Sequence, residues 1–237
     1  MRLFRILSMN GIPRSEGKQL IKQGRVTSAE SVLADGNQDV SGDVFLDGEK
    51  LRGDEEVHIM LYKPAGVLTA TQDSRTETVM DLLPVRLQRI GLGPVGRLDK
   101  DATGLLILTT DGQLAHRLIS PKWDEEKVYE AHTEGVPDQA AIDLFAAGME
   151  LSDFTAKPAK LAVLENRGET AVCRVIVSEG KFHQVKRMLA HVGCPVTALK
   201  RVQVAGLRLD EDLQPGEWRY LTQEEAQGLY TCVRLSK

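Results

Sequence analysis

Residues 93–112 read GPVGRLDKDATGLLILTTDG, a glycine-punctuated polar run that passes straight into an apolar one. Gly93, Gly96 and Gly104 bracket the charged cluster Arg97, Asp99, Lys100 and Asp101 and so predict a loop. Leu105 to Leu108 is a short continuous apolar run of the kind that fills a buried strand. Thr110 followed by Gln113 has capping-box spacing, which predicts a helix from near Asp111 through Leu114 to Ile119. The unit is loop, strand, helix, and it holds the Asp99 carboxylate at the mouth of a rigid sheet. Taken alone, an aspartate in such a loop more often caps a turn or pairs with a neighbour such as Arg97 than does chemistry, so the rest of the chain has to decide.

Downstream, Lys127 and Tyr129 alternate with Val128 and Glu130, a strand pattern that puts Lys127 and Tyr129 on one face. A helix follows from Asp138 through Ile142, Leu144 and Phe145 to Gly148, and Leu161 to Leu164 and Ala171 to Val177 read as strands. Pro158 marks an edge or a strand entry. Phe182, Val185, Met188, Leu189 and Val192 occupy one arc of a helix that Gly193 stops. Lys186 lies at the rim of that arc, nearer the core than His183 or Arg187, which point away; a lysine so placed either snorkels outward or reaches a buried carboxylate. Strands at Ala198 to Val204 and Leu207 to Leu209, a turn at Pro215-Gly216 and a last helix capped by Thr222 and Glu225 complete the chain.

Upstream, His58 to Tyr62 is a strand leading into a turn at Lys63-Pro64-Ala65-Gly66, where Lys63 is placed to contact phosphate. The charged connector Arg52 to Glu56 divides the chain into a small domain, residues 1–53, and a larger one, residues 54–237. In the small domain Leu3, Ile6 and Leu7 mark a first helix and Ser15 to Gln23, stopped by Gly24, a second. Arg14, Lys18 and Lys22 recur every four residues along that second helix, with Arg25 just past its end and Leu20 opposite. Asp47-Gly48, within Val44 to Leu51, is a type I′ turn candidate. Strands with irregularly placed helices predict an α+β catalytic domain built on a mixed, mainly antiparallel sheet flanked by helices, since the strict alternation of a doubly wound fold is missing.

Composition narrows the function classes. At 237 residues, 42% hydrophobic and 27% charged, the chain has the make-up of a soluble globular protein, and no apolar run approaches the roughly 20 residues of a membrane helix. Cys173, Cys194 and Cys232 form no close pair, so neither a disulfide framework nor a zinc site is indicated and a reducing cytoplasm is the expected location. The net charge of −4 conceals a clustered distribution. Before position 30 six cations face only Glu16 as an acid, and Lys181, Lys186, Arg187, Lys200, Arg201 and Arg208 fall in a stretch without an acid. Only 5% of residues are aromatic, too few for a platform stacking many bases, so a nucleic acid, if bound, would be held through phosphate and shape and binding would weaken steeply with salt.

Two resemblances follow. The order helix, Arg-Ser-Glu, helix, Gly-Arg-Val-Thr over residues 1–50 resembles the alpha-L RNA-binding module, with Ser28, Ala29 and Glu30 in place of the usual short Asn-Gly or Asp-Gly turn. That likeness implies phosphate contacts for Arg14, Lys18, Lys22 and Arg25. Gly96-Arg97-Leu98-Asp99 with Thr103-Gly104-Leu105-Leu106, together with Lys63-Pro64, Lys127-Val128-Tyr129 and Gly180-Lys181-Phe182-His183-Gln184-Val185-Lys186-Arg187-Met188, resembles the pseudouridine synthases, in the family's order and over nearly the whole chain. Ala102 stands where a hydroxyl residue is commoner.

The resemblance implies that a uridine is isomerised without cofactor, metal or redox partner, with Asp99 as the catalytic aspartate. Lys186 is the candidate cation that keeps it ionised. Tyr129 is the ring that stacks on the flipped uracil and helps the final proton leave C5. Arg97 holds the flipped nucleotide's phosphate or fills the vacated space. Lys63, Lys181, His183, Arg187 and Arg201 complete the expected RNA contacts, while Lys100 and Asp101 are left as loop residues. The His-Gln-Val-Lys-Arg-Met run is similar to enzymes of the small-subunit branch, which implies 16S ribosomal RNA, met as an assembling small-subunit particle by a monomer with no membrane contact. Three alternatives stand beside this: large-subunit ribosomal RNA as substrate, a non-catalytic RNA-binding ribosome-assembly factor, and a carbohydrate-active enzyme pairing Asp99 with Asp101.

Overall fold

The computed structural model describes residues 1–51 and 56–236, so the expected boundary at residues 53 and 54 lies outside the described residues. The chain forms two compact units, Met1–Val57 with Met80–Leu92 and His58–Val79 with Gly93–Lys237.

The first unit begins with α1 (Leu3–Met9) and α2 (Arg14–Lys22) and continues into an antiparallel sheet of β1 (Val26–Ser28), β2 (Val44–Leu46) and β3 (Glu49–Lys50). Leu3, Ile6 and Leu7 of α1 and Leu20 and Ile21 of α2 turn inward onto Val26, Leu33 and Val44, as the helical spacing predicts. Asp47 and Gly48 both have positive φ, 52° and 86°, which is the signature of a type I′ turn. The turn after β1 forms without Asn-Gly: Ser28 Oγ accepts from the backbone N–H groups of Glu30 (3.3 Å) and Ser31 (3.1 Å), and Thr27 bridges Val32. A serine side chain has replaced glycine geometry with hydrogen bonds.

A single cut in the sequence does not describe these units, because Met80–Leu92, including α3 (Val85–Gln88), belongs with the first. Arg86 donates to the Asn10 carbonyl (3.1 Å) and to Asn10 Oδ1 (2.7 Å). Gly11, at φ +73°, lies so near that a Cβ would fall 2.3 Å from the Arg86 carbonyl oxygen.

The second unit contains β4 (His58–Lys63), β5 (Gly93–Pro94), β6 (Thr103–Thr109), α4 (Gly112–Ile119), β7 (Lys127–Glu134), α5 (Gln139–Ala147), β8 (Met149–Glu150), β9 (Thr155–Ala156), β10 (Lys160–Asn166), β11 (Thr170–Val177), α6 (Gln184–His191), β12 (Val196–Val204), β13 (Leu207–Arg208), β14 (Trp218–Tyr220) and α7 (Gln223–Cys232). Its sheet runs β10-β11-β7-β12-β6-β4-β14, with β13 on β12 and β5 on β6, while β8 and β9 pair separately. β12 and β6 are parallel and the other pairs are antiparallel. This is the mixed, mainly antiparallel α+β arrangement expected. Met60, Leu105 and Ile107 pack one face of the sheet against α4 and α7, and the alternating residues face the other way. Among the described residues no helix is long and apolar enough to cross a membrane.

Three local expectations change. Asp111, not Thr110, caps α4, its Oδ1 accepting from the N–H groups of Gln113 (2.9 Å) and Leu114 (3.0 Å). β14, an edge strand on β4, was not anticipated: its three residues are too few for a periodic signal. Phe182 does not join the packed arc, because α6 starts only at Gln184, after His183 at φ 51° in the left-handed region, and Phe182 is 74% exposed. The cap of α7 is as expected, with Thr222 and Glu225 bonded reciprocally.

Candidate active site

Asp99 sits in the loop between β5 and β6, one residue beyond buried Leu98. Thr69 pins both backbone groups of Leu98, its hydroxyl donating to the carbonyl (2.8 Å) and accepting from the N–H (3.2 Å). The N–H of Gly66 donates to the Lys100 carbonyl (2.8 Å), and the loop closes on itself where Ala102 N–H meets the Asp99 carbonyl (3.2 Å). Such an anchored loop fixes its carboxylate far better than a free turn would.

Lys63 completes the anchoring and overturns its expected role. It ends the apolar strand β4 with a fully buried side chain, and its Nζ donates to the carbonyls of Pro64 (2.9 Å), Lys100 (3.1 Å) and Ala102 (2.9 Å). Its three ammonium donors match three carbonyls, so none is left for a phosphate. Burial pushes its pKa down to about 8, against the pull of Asp101 and Asp99.

Arg201 is likewise not a surface contact. It is 3% exposed, stands opposite Tyr129 and Gly104 in the sheet, and donates from Nε to the Leu105 carbonyl (2.9 Å). Its Nη2 is buried with no hydrogen-bond partner among the described residues. Gly104 is required at that crossing: at φ +105°, a Cβ would lie 2.2 Å from the Arg201 carbonyl oxygen.

Lys186 reaches inward from α6, as one of its two expected placements requires. Its Nζ lies 3.2 Å from Asp99 Oδ2 and 2.6 Å from Asp101 Oδ1. Burial works against the ammonium charge, but hydrogen bonds with Asp101 and Asp99 outweigh it and raise the Lys186 pKa. The Lys186 hydrogen bond holds the Asp101 carboxyl below the usual range. Asp101, although exposed on the loop, therefore also joins the cluster through Lys186. The two carboxylates converge because the loop turns between them, and no local sequence signal marks that turn's direction.

His183 also faces the cluster instead of pointing away, with Nε2 at 3.6 Å from Asp99 Oδ1. Its left-handed backbone is what redirects the ring. The segment before it is clamped by Gln184, which was not singled out in the sequence: Oε1 accepts from Lys181 N–H (3.1 Å) and Nε2 donates to Glu179 Oε1 (2.7 Å).

An open pocket brings Asp99 together with Arg97, Tyr129, Glu179, Lys181 and His183. Tyr129 is buried to 8% exposure, whereas Arg97 and Lys181 are exposed. A larger groove of about 550 Å³ includes Tyr62, Val128 and Lys200. Strand alternation puts these on the opposite sheet face from Lys63 and Tyr129, and the groove mixes acids with bases, so it is not part of this site. Arg187 is engaged by Asp153 and by Ser152 Oγ (3.0 Å), with its guanidinium 4.8 Å over the Phe154 ring, and so is not a free RNA contact. In the first unit, Arg14, Lys18 and Lys22 are exposed, but Arg25 is bound bidentately by the Asp47 carboxylate.

A carboxylate fixed at a pocket mouth, with a shared ammonium and a buried tyrosine, is equipped to act as nucleophile or base on a flat heterocycle. The RNA pseudouridylate synthase family profile matches residues 57–191, which includes every member of this cluster. The chain is 41% identical to an uncharacterized RNA pseudouridine synthase of Bacillus subtilis, YtzG, over 95% of this chain and 96% of that protein. It is 38% identical to the ribosomal small subunit pseudouridine synthase A of Pseudomonas aeruginosa (95% and 98% covered) and 35% identical to the ribosomal large subunit pseudouridine synthase B of Bacillus subtilis (96% and 95% covered). A crystal structure of a pseudouridylate synthase superposes with a TM-score of 0.68 at 33% identity, covering 97% of this chain and 99% of that one. The chain belongs to the RNA pseudouridine synthase family, whose members are isomerases.

Proposed function

We propose that this protein isomerises a uridine of ribosomal RNA to pseudouridine, that the RNA is 16S, and that Asp99 is the catalytic residue. The observation that carries it is the Asp99 carboxylate, held 3.2 Å from the Lys186 ammonium at the mouth of the pocket that Tyr129 lines. Isomerisation breaks the bond from uracil N1 to ribose C1′, turns the base and joins C5 to C1′; C5 loses its proton and N1 takes one up, so atoms balance without a co-reactant. Asp99 acts on the nucleoside, Lys186 keeps its carboxylate charged, and Tyr129 stacks on the uracil and helps the C5 proton leave. Arg97 meets the flipped nucleotide's phosphate. The N-terminal unit is an alpha-L type RNA-binding module, and the substrate is an assembling small-subunit particle met by a monomer. The resemblance of His183-Gln184-Val185-Lys186-Arg187-Met188 to the small-subunit branch favours 16S RNA; the 35% identity to a large-subunit enzyme supports 23S RNA as the second reading.

Tritium release from 16S and 23S RNA carrying [5-³H]uridine, each offered both as a transcript and as an assembling subunit particle, tests the proposal. The expected result is release from 16S RNA, lost by at least about 10³-fold in Asp99→Asn, with RNA affinity kept. Release from 23S RNA alone would select the second reading. A wild-type chain that releases tritium from neither would sink both.

A further inference from the structure

Phe182 is 74% exposed, more than any other large apolar residue described. It stacks on His183 with ring centroids 3.8 Å apart and planes 18° from parallel. The segment below it is clamped by Gln184, which binds Lys181 N–H and Glu179, while Glu179 Oε1 also accepts from Lys157 N–H (2.9 Å). One face of the Phe182 ring is therefore covered by imidazole, and Gln184 holds the backbone on either side of it.

The place of this stack narrows what it is for. His183 Nε2 lies 3.6 Å from Asp99 Oδ1, so the ring pair stands at the rim of the pocket that holds the carboxylate. The exposed cations Lys181 and Arg97 flank the same pocket. A protein-docking surface needs contiguous apolar area, but Phe182 lies between Lys181 and His183, with no apolar neighbour beside it in the chain. A flat ring with cations beside it fits a nucleobase with its attached phosphate. Tyr129 is already assigned to the uridine that enters the pocket, which leaves the outer ring for a neighbour.

We propose that the Phe182–His183 stack is a base-stacking platform for the nucleotide adjoining the flipped uridine, anchoring the RNA strand beside the pocket that holds Asp99. The inference rests on the proposed RNA-modifying function and deepens it. Phe182 binds RNA without touching the reacting atoms, so it sets affinity rather than the chemical rate. His183 supports the platform from beneath and orients it toward the pocket.

Binding of the full chain to 16S and 23S transcripts, followed by filter retention across a salt series, tests this. Phe182→Ala is expected to weaken binding to the preferred transcript about tenfold without changing the slope of log Kd against log salt, because no charge is lost. Phe182→Trp should restore affinity to within about twofold, since stacking on a ring is tolerant of which ring. The saturating rate of tritium release by Phe182→Ala should stay within about threefold of wild type, as expected of a group outside the reacting atoms. Unchanged affinity in Phe182→Ala overturns the platform, and so does an equal loss in Phe182→Ala and Phe182→Trp, which would mark the phenylalanine as structural. A wild-type chain that binds RNA but releases no tritium overturns the activity instead, and the affinity ratio of the variants still decides the platform.

Discussion

Lys18 and Lys22 extend from α2 into solvent, whereas Lys63 and Arg201 are buried in the catalytic sheet. All four belong to basic stretches that look alike in composition, and all four were expected to meet phosphate. The difference lies in the element beneath them. α2 buries Leu20 and Ile21 on one side and so must present Lys18 and Lys22 on the other. Lys63 and Arg201 sit on interior strands, where alternation turns every second side chain inward whatever its charge. Backbone carbonyls offset the cost of burying a cation there: Lys63 finds three, and Arg201 finds one through Nε while its Nη2 finds none among the described residues. Exposed cations remain accessible to a phosphate, while the buried ones hold the Asp99 loop and β6.

The comparison breaks most easily at Lys63. Lys63→Met removes three hydrogen bonds at the Asp99 loop, and misplacing a catalytic group by about 1 Å costs up to 10²-fold; tritium release at saturating RNA should fall at least about tenfold. The pH dependence carries a sign that sets Lys63 apart. Its folded pKa of about 8 lies below the ordinary 10.5, so between those values the unfolded chain keeps a proton that the folded chain has released, and stability rises with pH across that window. Over the same window the neutral amine has lost one of its three donors, so activity falls. Wild type should therefore gain stability relative to Lys63→Met between pH 7.5 and 9.5 in urea unfolding while its rate declines. Parallel stability curves for the two proteins would show that Lys63 is not the group titrating.

The exposed side of the comparison is sharpened by replacing Arg14, Lys18 and Lys22 together with glutamine. Each phosphate contact contributes about 0.7 to the salt slope for single-stranded RNA, so the triple variant should have a slope shallower by about 2 and bind roughly tenfold more weakly at low salt, with the saturating rate unchanged. An unaltered slope would make the stripe a solvated face and nothing more.

The same contrast explains what the sequence made legible. Elements set by neighbouring residues were readable: the apolar run inside β6, the I′ turn at Asp47-Gly48, the reciprocal cap of α7. The loop that carries Asp99 was readable because glycines and a strand bracket it. The positions that escaped depend on pairing between distant segments or on one unusual torsion. Lys63 is buried by strands that lie next to it only in the folded sheet. Asp101 joins Asp99 on Lys186, which is 85 residues away. Phe182 matches the helical spacing of Val185 and Leu189, but His183 in the left-handed region delays the helix and leaves the ring outside. Met80–Leu92 joins the first unit through Arg86 and Asn10, a contact without periodicity.

Arg25 lies between the two classes and gives the smallest effect. It is exposed like Lys18, but its guanidinium is engaged by both oxygens of Asp47, the residue that opens the I′ turn between β2 and β3. Both side chains are about half exposed, and an ion pair of that kind contributes little to stability. It does, however, neutralise the cation toward an approaching phosphate, since the Asp47 carboxylate sits where the phosphate oxygens would bind. Arg25→Ala should therefore change RNA affinity by less than about twofold and leave the salt slope unaltered, whereas Asp47→Asn, which frees the guanidinium and keeps a residue tolerant of positive φ, should tighten binding and steepen the slope by up to about 0.7. If Arg25→Ala instead lost as much affinity as a stripe lysine, exchange of Asp47 for RNA phosphate would have to occur on binding, and the availability of a cation would then be decided by the strength of its partner and not by exposure.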